Sequence, residues 1–420
     1  MNAPRPKMKK PAIFSPSTIT SFRKSLLIIL LAALVFRLPA FGSIKLGMYD
    51  EQMYIHLMNT LRIDGLTGIR SLVNSFLHHD ISLQGPLPFR ILFPFMGLLS
   101  CKLLGFCGLK NLALVSFISG LGIIIIGFIL FRAWFSPGIA ALSALLLIVS
   151  PLQVWLSNLA LQDSFFTLIV IATFLFYHRC WCYQKKGDPF ALGFFVLAGL
   201  LTKESMIMFY ACFGALAFYY RKKISPHSLI RIALPLAIAF LLYVSVSSWI
   251  VGGFDRFWKI YLYYGQSLGK AGYSLSFQQG PWFRYIVDFI SLSPLTFLLA
   301  IIGMAIPVSD ERNRIGRDIA MRYAIVGFAV FSFLPLVTAL PLFNVRLVLF
   351  LDVLLRVLSV FGILFIAGKI KSQRFRHAFI AFTFVILIAS DIHQYVQLFV
   401  TSGLDDPTTI ELIWGNGLFR

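Results

Sequence analysis

Along its length the chain alternates long apolar runs with short polar turns. The runs lie at about 25–41, 87–106, 111–131, 138–157, 164–178, 190–202, 205–220, 228–251, 284–307, 319–340, 347–368 and 377–399. A helix that crosses a bilayer needs about 20 apolar residues, so the pattern predicts a series of membrane-spanning helices. Basic residues gather between the runs, at Arg5–Lys24, Arg179–Lys186, Arg221–Lys223, Arg312–Arg322 and Lys369–Arg376. Such clusters mark cytoplasmic segments under the positive-inside rule, and all five belong on one side.

Parity then tests the runs. From the second cluster onward each neighbouring pair of clusters encloses two runs, as it must, but five runs lie between the first and second. One of those five does not span. The run 87–106 carries Pro88, Arg90, Pro94 and Lys102, which are awkward at a bilayer centre, so it reads as an interfacial helix. The expectation is an all-α polytopic membrane protein with about eleven transmembrane helices. Residues 1–24 form a cytoplasmic basic N-terminus, 25–399 a single transmembrane domain, 42–110 a long first outer loop with its interfacial helix, and 400–420 an outer tail. The first run follows a basic stretch, as in a signal peptide, but with no convincing cleavage site, and is taken as an uncleaved span.

Composition agrees. Hydrophobic residues make up 58% of the 420 and charged residues 13%, against about 25% charged in soluble chains, and mean hydropathy is +0.83. Secreted and cytosolic enzymes, disordered chains and DNA-binding domains are excluded. The net charge of +20 belongs to topology rather than to a nucleic-acid partner. The five cysteines include Cys180 and Cys182, too close for a zinc pair, and Cys101 and Cys107, which pair only in an oxidising compartment.

Only 17 carboxylates occur. With this topology Asp50, Glu51, Asp64, Asp80 and Asp163 fall at the outer face, as do Lys203, Glu204 and Arg346. Sparse charges from distant segments thus meet one interface, which favours a site there over scattered solvated groups. Adjacent Asp50 and Glu51, just past the first span, suit a base or a metal ligand.

In chain order the relevant stretches are Asp50-Glu51-x-x-Tyr54, Gly85-Pro86-Leu87, Ser150-Pro151 leading to Asp163, Gly199 to Thr202-Lys203, Pro281-Trp282-x-x-Tyr285, and Arg346. This ordered set resembles the GT-C superfamily of polyprenyl-phosphate-sugar glycosyltransferases, in particular the protein O-mannosyltransferase and lipid A aminoarabinose transferase group, over about residues 30–355. Family members often carry a charged residue just before the proline of the interfacial helix, where this chain has Gln84-Gly85, and some place a histidine in the outer loop before Pro-Trp, where this chain has Gly265 and Lys270.

The resemblance implies an inverting transfer of a sugar from a polyprenyl-phosphate donor to a hydroxyl or phosphate of a glycan, lipid or protein acceptor. The site would face the periplasm or exterior of a bacterial plasma membrane. Asp50, with Glu51 beside it, would be catalytic, Asp50 acting as general base. Lys203 and Arg346 would bind the donor phosphate, and Tyr54, Trp282 and Tyr285 would contact substrate. Asp163 with Glu51 would hold a divalent ion, Mg²⁺ or Mn²⁺, the one cofactor implied. The rival class is a transporter or lipid flippase, which places charges near the midplane and often shows inverted repeats; here the charges gather at one interface and no repeat is visible.

Other polar positions read as structural. His78, His79 and Asp80 fit a polar outer loop, Asp352 and Arg356 sit four apart and can pair on one helix face, Arg284 and Asp288 share that spacing near the outer face and are either structural or line the donor groove, and Asp391 and His393 have no assigned role.

Overall fold

The computed structural model describes residues 16–42, 49–78, 87–182, 185–220, 226–268, 281–338, 343–404 and 410. Regular structure among them is entirely helical. The helices are α1 (Pro16–Gly42), α2 (Tyr49–Ile63), α3 (Gly65–Leu77), α4 (Leu92–Leu104), α5 (Leu109–Trp134), α6 (Pro137–Ile148), α7 (Pro151–Leu156), α8 (Asp163–Cys182) and α9 (Asp188–Thr202). They continue as α10 (Met206–Tyr219), α11 (Pro226–Val251), α12 (Phe254–Leu268), α13 (Arg284–Leu292), α14 (Pro294–Ala305), α15 (Glu311–Thr338), α16 (Leu349–Gly368) and α17 (Gln373–Tyr395). A 3-10 turn, Val345–Val348, leads into α16.

Among the described residues six segments are long and apolar enough to cross a membrane: Phe22–Phe41, Leu109–Trp134, Asp163–Cys182, Pro226–Val251, Val345–Gly368 and Gln373–Thr401. Shorter apolar helices accompany them, and the chain is an integral, multi-pass membrane protein. Val345–Gly368 is central, 89% buried, whereas Phe22–Phe41, Pro226–Val251 and Gln373–Thr401 are each only 17% buried. Those three present Leu31, Val35, Leu241 and Val385 outward, an apolar surface suited to lipid.

Two runs that read as continuous are broken. The run 138–157 divides into α6 and α7, and the run 284–307 into α13 and α14. The cause is the same in both. A proline disfavours helical geometry in the residue before it, and the backbone is displaced at Ser150 (φ −55°, ψ 121°) ahead of Pro151 and at Ser293 (φ −151°, ψ 68°) ahead of Pro294. The stretch from Ser150-Pro151 to Asp163, which the resemblance implies is one helix, is not one. The helix stops at Leu156, and Asp163 instead opens α8.

Tight backbone contact sets the centre. A Cβ at Gly303 on α14 would overlap the Leu358 carbonyl, and one at Gly362 on α16 would overlap that of Leu299. Small residues let helix backbones approach this closely inside a membrane. The basic turns touch one another. Arg312 Nη2 donates to the Arg132 carbonyl (2.9 Å), the Ser136 amide to Asn313 Oδ1 (2.9 Å), and Arg231 to the Lys185 carbonyl. The interfacial candidate 87–106 holds one helix, α4, of 13 residues, about 20 Å long at 1.5 Å per residue. A disulfide joins its Cys101 to Cys107.

Candidate active site

Four charged side chains from four distant segments meet at one place. Asp50 lies in the first turn of α2 and Asp163 opens α8. Lys203 terminates α9 in an extended conformation (φ −155°, ψ 124°), its amide still bonded to the Gly199 carbonyl at 2.8 Å. The chain then folds straight back into α10. Glycine at 199 permits that turn, because a Cβ there would stand 2.8 Å from Met206 Sδ. Arg346 sits on the 3-10 turn, where the Asn344 side chain accepts from its amide (2.9 Å).

Asp163 is fully buried and is held on both oxygens. Lys203 Nζ donates to Oδ1 at 2.7 Å, and Arg346 Nε and Nη2 reach Oδ2 at 3.1 and 3.0 Å. The same Nη2 also donates to Asp50 Oδ2 at 3.0 Å. The Asp50 side chain is 33% exposed while Asp163 is 0%, so the open edge of the cluster is at Asp50. Burial pulls the Lys203 ammonium below its ordinary range, and neighbouring Arg346 adds to that pull against the opposing effect of Asp163.

A second ion pair abuts the first. Arg90, 8% exposed, grips Glu204 with two nitrogens, Nε to Oε2 at 2.7 Å and Nη2 to Oε1, and also reaches the Tyr264 hydroxyl at 3.4 Å. Burial works against the Glu204 charge, but the Arg90 guanidinium outweighs it and holds the carboxyl below its usual value. Gln162 packs beside Arg90, its amide oriented by the network: nitrogen toward the Thr202 carbonyl (2.6 Å), oxygen toward Arg90 Nη1 (3.2 Å) and the Tyr54 hydroxyl (2.7 Å).

Comparison with known proteins bears on this architecture. The family model described as dolichyl-phosphate-mannose-protein mannosyltransferase matches residues 88–249. A sequence search among curated proteins finds no match. Among solved structures, ArnT from Cupriavidus metallidurans bound to undecaprenyl phosphate is similar over 95% of this chain and 75% of that one, with a TM-score of 0.52 at 15% identity. An Archaeoglobus fulgidus oligosaccharyltransferase tethered with an acceptor peptide is similar over 91% of this chain, with a TM-score of 0.54 at 13% identity. The archaeal oligosaccharyltransferase AglB, in complex with an inhibitory peptide and a dolichol-phosphate, gives 0.55 at 12% identity. The chain spans 55% of the former archaeal chain and 56% of the latter. The fold is the one these solved structures share.

The family match includes Arg90, Asp163, Lys203 and Glu204, whereas Asp50 and Arg346 fall outside it. Of the expected site residues, Asp50, Asp163, Lys203 and Arg346 come together. Glu51 is adjacent but fully buried, and its Oε1 accepts from the Ala160 amide at 2.7 Å, so it anchors backbone. Tyr54 is buried edge-on against Phe93 (5.3 Å), and burial drives its phenol well above the usual value. Tyr285 is buried against Phe343 (5.6 Å). Trp282, 44% exposed, stacks on Phe333 (5.9 Å).

The donor set does not fit the expected divalent ion. Both Asp163 oxygens face cations, Glu51 is committed to backbone, and no group of three or more His, Cys, Asp or Glu that could hold a metal forms among the described residues. Two positive charges on the would-be ligand repel a metal. His78 is exposed, and His79, Asp80, Gly85, Pro86 and Lys270 lie outside the described residues. Arg90 was legible only as a misfit inside an apolar run, and Glu204 only as one of the charges gathered at the outer face. A charge inside an apolar run signals that a partner exists, and nothing local says which.

Proposed function

We propose that this protein is a membrane glycosyltransferase that moves a sugar from a polyprenyl-phosphate donor to an acceptor hydroxyl, with inversion. The observation that carries the reading is the shared guanidinium: Arg346 Nη2 lies 3.0 Å from both Asp50 and Asp163, with Lys203 on the far side of Asp163. A pair of cations beside a part-exposed carboxylate matches the needs of glycosyl transfer from a phosphate. The acceptor oxygen attacks the anomeric carbon and forms the new C–O bond. Its proton passes to Asp50. The bond from that carbon to the phosphate oxygen breaks, and the electron pair leaves with the lipid phosphate. Lys203 and Arg346 stabilise the growing charge there. Asp163 holds both cations in place.

The fold supports a lipid-phosphate donor, since the similar structures include ArnT with undecaprenyl phosphate and AglB with dolichol-phosphate. An outward-facing site is supported by the Cys101–Cys107 disulfide, because disulfides persist in oxidising compartments. That pair lies beside α2, the helix that carries Asp50, with Cys101 Sγ 3.9 Å from Met58 Sδ. The acceptor class is a glycan, lipid or protein of the cell envelope.

The test is transfer of labelled sugar from polyprenyl phosphate to an extract of candidate acceptors in proteoliposomes. Asp50→Asn should insert normally and lose turnover by about 10²–10⁴-fold, while Asp64→Asn, whose side chain is exposed, keeps wild-type rate. Full turnover in Asp50→Asn removes the base from the mechanism. A wild type that moves lipid between leaflets and never transfers sugar is a flippase instead.

A further inference from the structure

Helix α7, only six residues long, is flanked by two buried charges carried on separate helices. Arg37 on α1, 1% exposed, donates Nη2 to the Leu147 carbonyl (2.7 Å) and Nε to that of Ile148 (3.2 Å). It thereby satisfies the open end of α6, and its Nη1 lies 3.5 Å from Ser157 Oγ at the far end of α7. Asp352 on α16, 3% exposed, accepts from Ser150 Oγ (2.8 Å), the residue ahead of α7, and from Arg356 Nε (3.1 Å). Arg356 is itself held by Asp391, Ser293 Oγ (2.8 Å) and Thr296 Oγ1 (3.2 Å).

From this mount α7 reaches both halves of the candidate site. Gln153 Nε2 donates to the Leu349 carbonyl (3.2 Å), just past the turn that presents Arg346. On the other side the chain leaves α7 for Asp163 and is pinned on the way. Asn158 Nδ2 bonds the Val154 carbonyl (2.8 Å), the Ala160 amide bonds Glu51 (2.7 Å), and Ser116 Oγ bonds the Leu161 carbonyl (2.6 Å). Ions are costly to bury, and an unbroken apolar span would cross a bilayer without them. The break in the helix, and the charges that hold it, are explained by what α7 presents.

We infer that Arg37 and Asp352 are positioning residues that act through α7 to set the placement of Asp163 against Arg346. The inference rests on the glycosyl-transfer reading above. Asp352→Asn and Arg37→Gln should lower kcat by about 10–100-fold, in line with the cost of roughly 1 Å of misplacement, and should speed amide exchange across 157–163. Arg37→Lys keeps the charge without the two-carbonyl fork and should fall between wild type and Arg37→Gln. Ser150→Ala is the milder variant if these do not fold. It cuts the link from Asp352 to α7 while leaving Asp352 paired with Arg356, and should reproduce both effects in smaller degree. A purely structural role would lower thermal stability and leave kcat per folded molecule and the 157–163 exchange at wild-type values; that result overturns the inference. Unchanged exchange in the variants overturns it even if the wild type proves to transfer no sugar, an outcome that separately sinks the functional reading.

Discussion

Arg346 divides one guanidinium between two carboxylates, and this has a consequence for binding. A donor phosphate competes with Asp50 for the same Nη2. Asp50→Asn therefore should bind polyprenyl phosphate about 2–5-fold more tightly while losing turnover, since a part-exposed pair contributes up to about 1 kcal/mol. Titration with undecaprenyl phosphate measures this, and weaker binding would show that Asp50 assists rather than competes. Arg346→Lys retains charge but cannot reach Asp50 and Asp163 together with a planar fork. Donor KM should rise about tenfold or more with acceptor KM unchanged; the reverse split would move Arg346 to the acceptor side. All four clustered residues could be singled out because an ion at the end of an apolar run is conspicuous. The direct engagement of Asp163 by Lys203 and Arg346, which displaces the metal reading, depends on segments 40 and 183 residues away and has no local trace.

Among the elements, proline and glycine govern the shape of the site. Pro151 and Pro294 break two apolar runs, and the broken ends are where buried polar groups enter: Arg37 and Asp352 at the first, Arg356 through Ser293 at the second. Both prolines were visible in the sequence, yet hydropathy alone reads through them, because a proline lowers helix formation without lowering apolarity. Gly303 and Gly362 set the other constraint. Gly362→Leu should force α14 and α16 apart and cost about 1–3 kcal/mol, the usual penalty for overpacking. A lowered Tm in detergent, with Gly368→Leu as a control because nothing stands within 4 Å of its Cβ position, checks it. Equal Tm for the two variants would mean that the close helix crossing contributes little.

For the whole molecule, Arg312 meets the Arg132 carbonyl at one set of helix ends, while Asp50, Asp163, Lys203 and Arg346 meet at another. A reporter fused after Lys223 should read as cytoplasmic and one after Gly265 as external. Both on one side would undo the parity argument and the interfacial reading of 87–106. The sequence by itself determined that the chain is a helical membrane protein and where the sparse ions lie. These are local properties, since transfer of a segment into a bilayer depends on its own side chains and its own backbone hydrogen bonds. Only the tertiary structure decided which ion meets which. Arg90 pairs with Glu204, Arg356 with Asp391, and Arg346 reaches Asp50 across 296 residues. A buried charge announces that it needs a partner, but the partner is chosen by how helices pack, and packing is a property of no single segment.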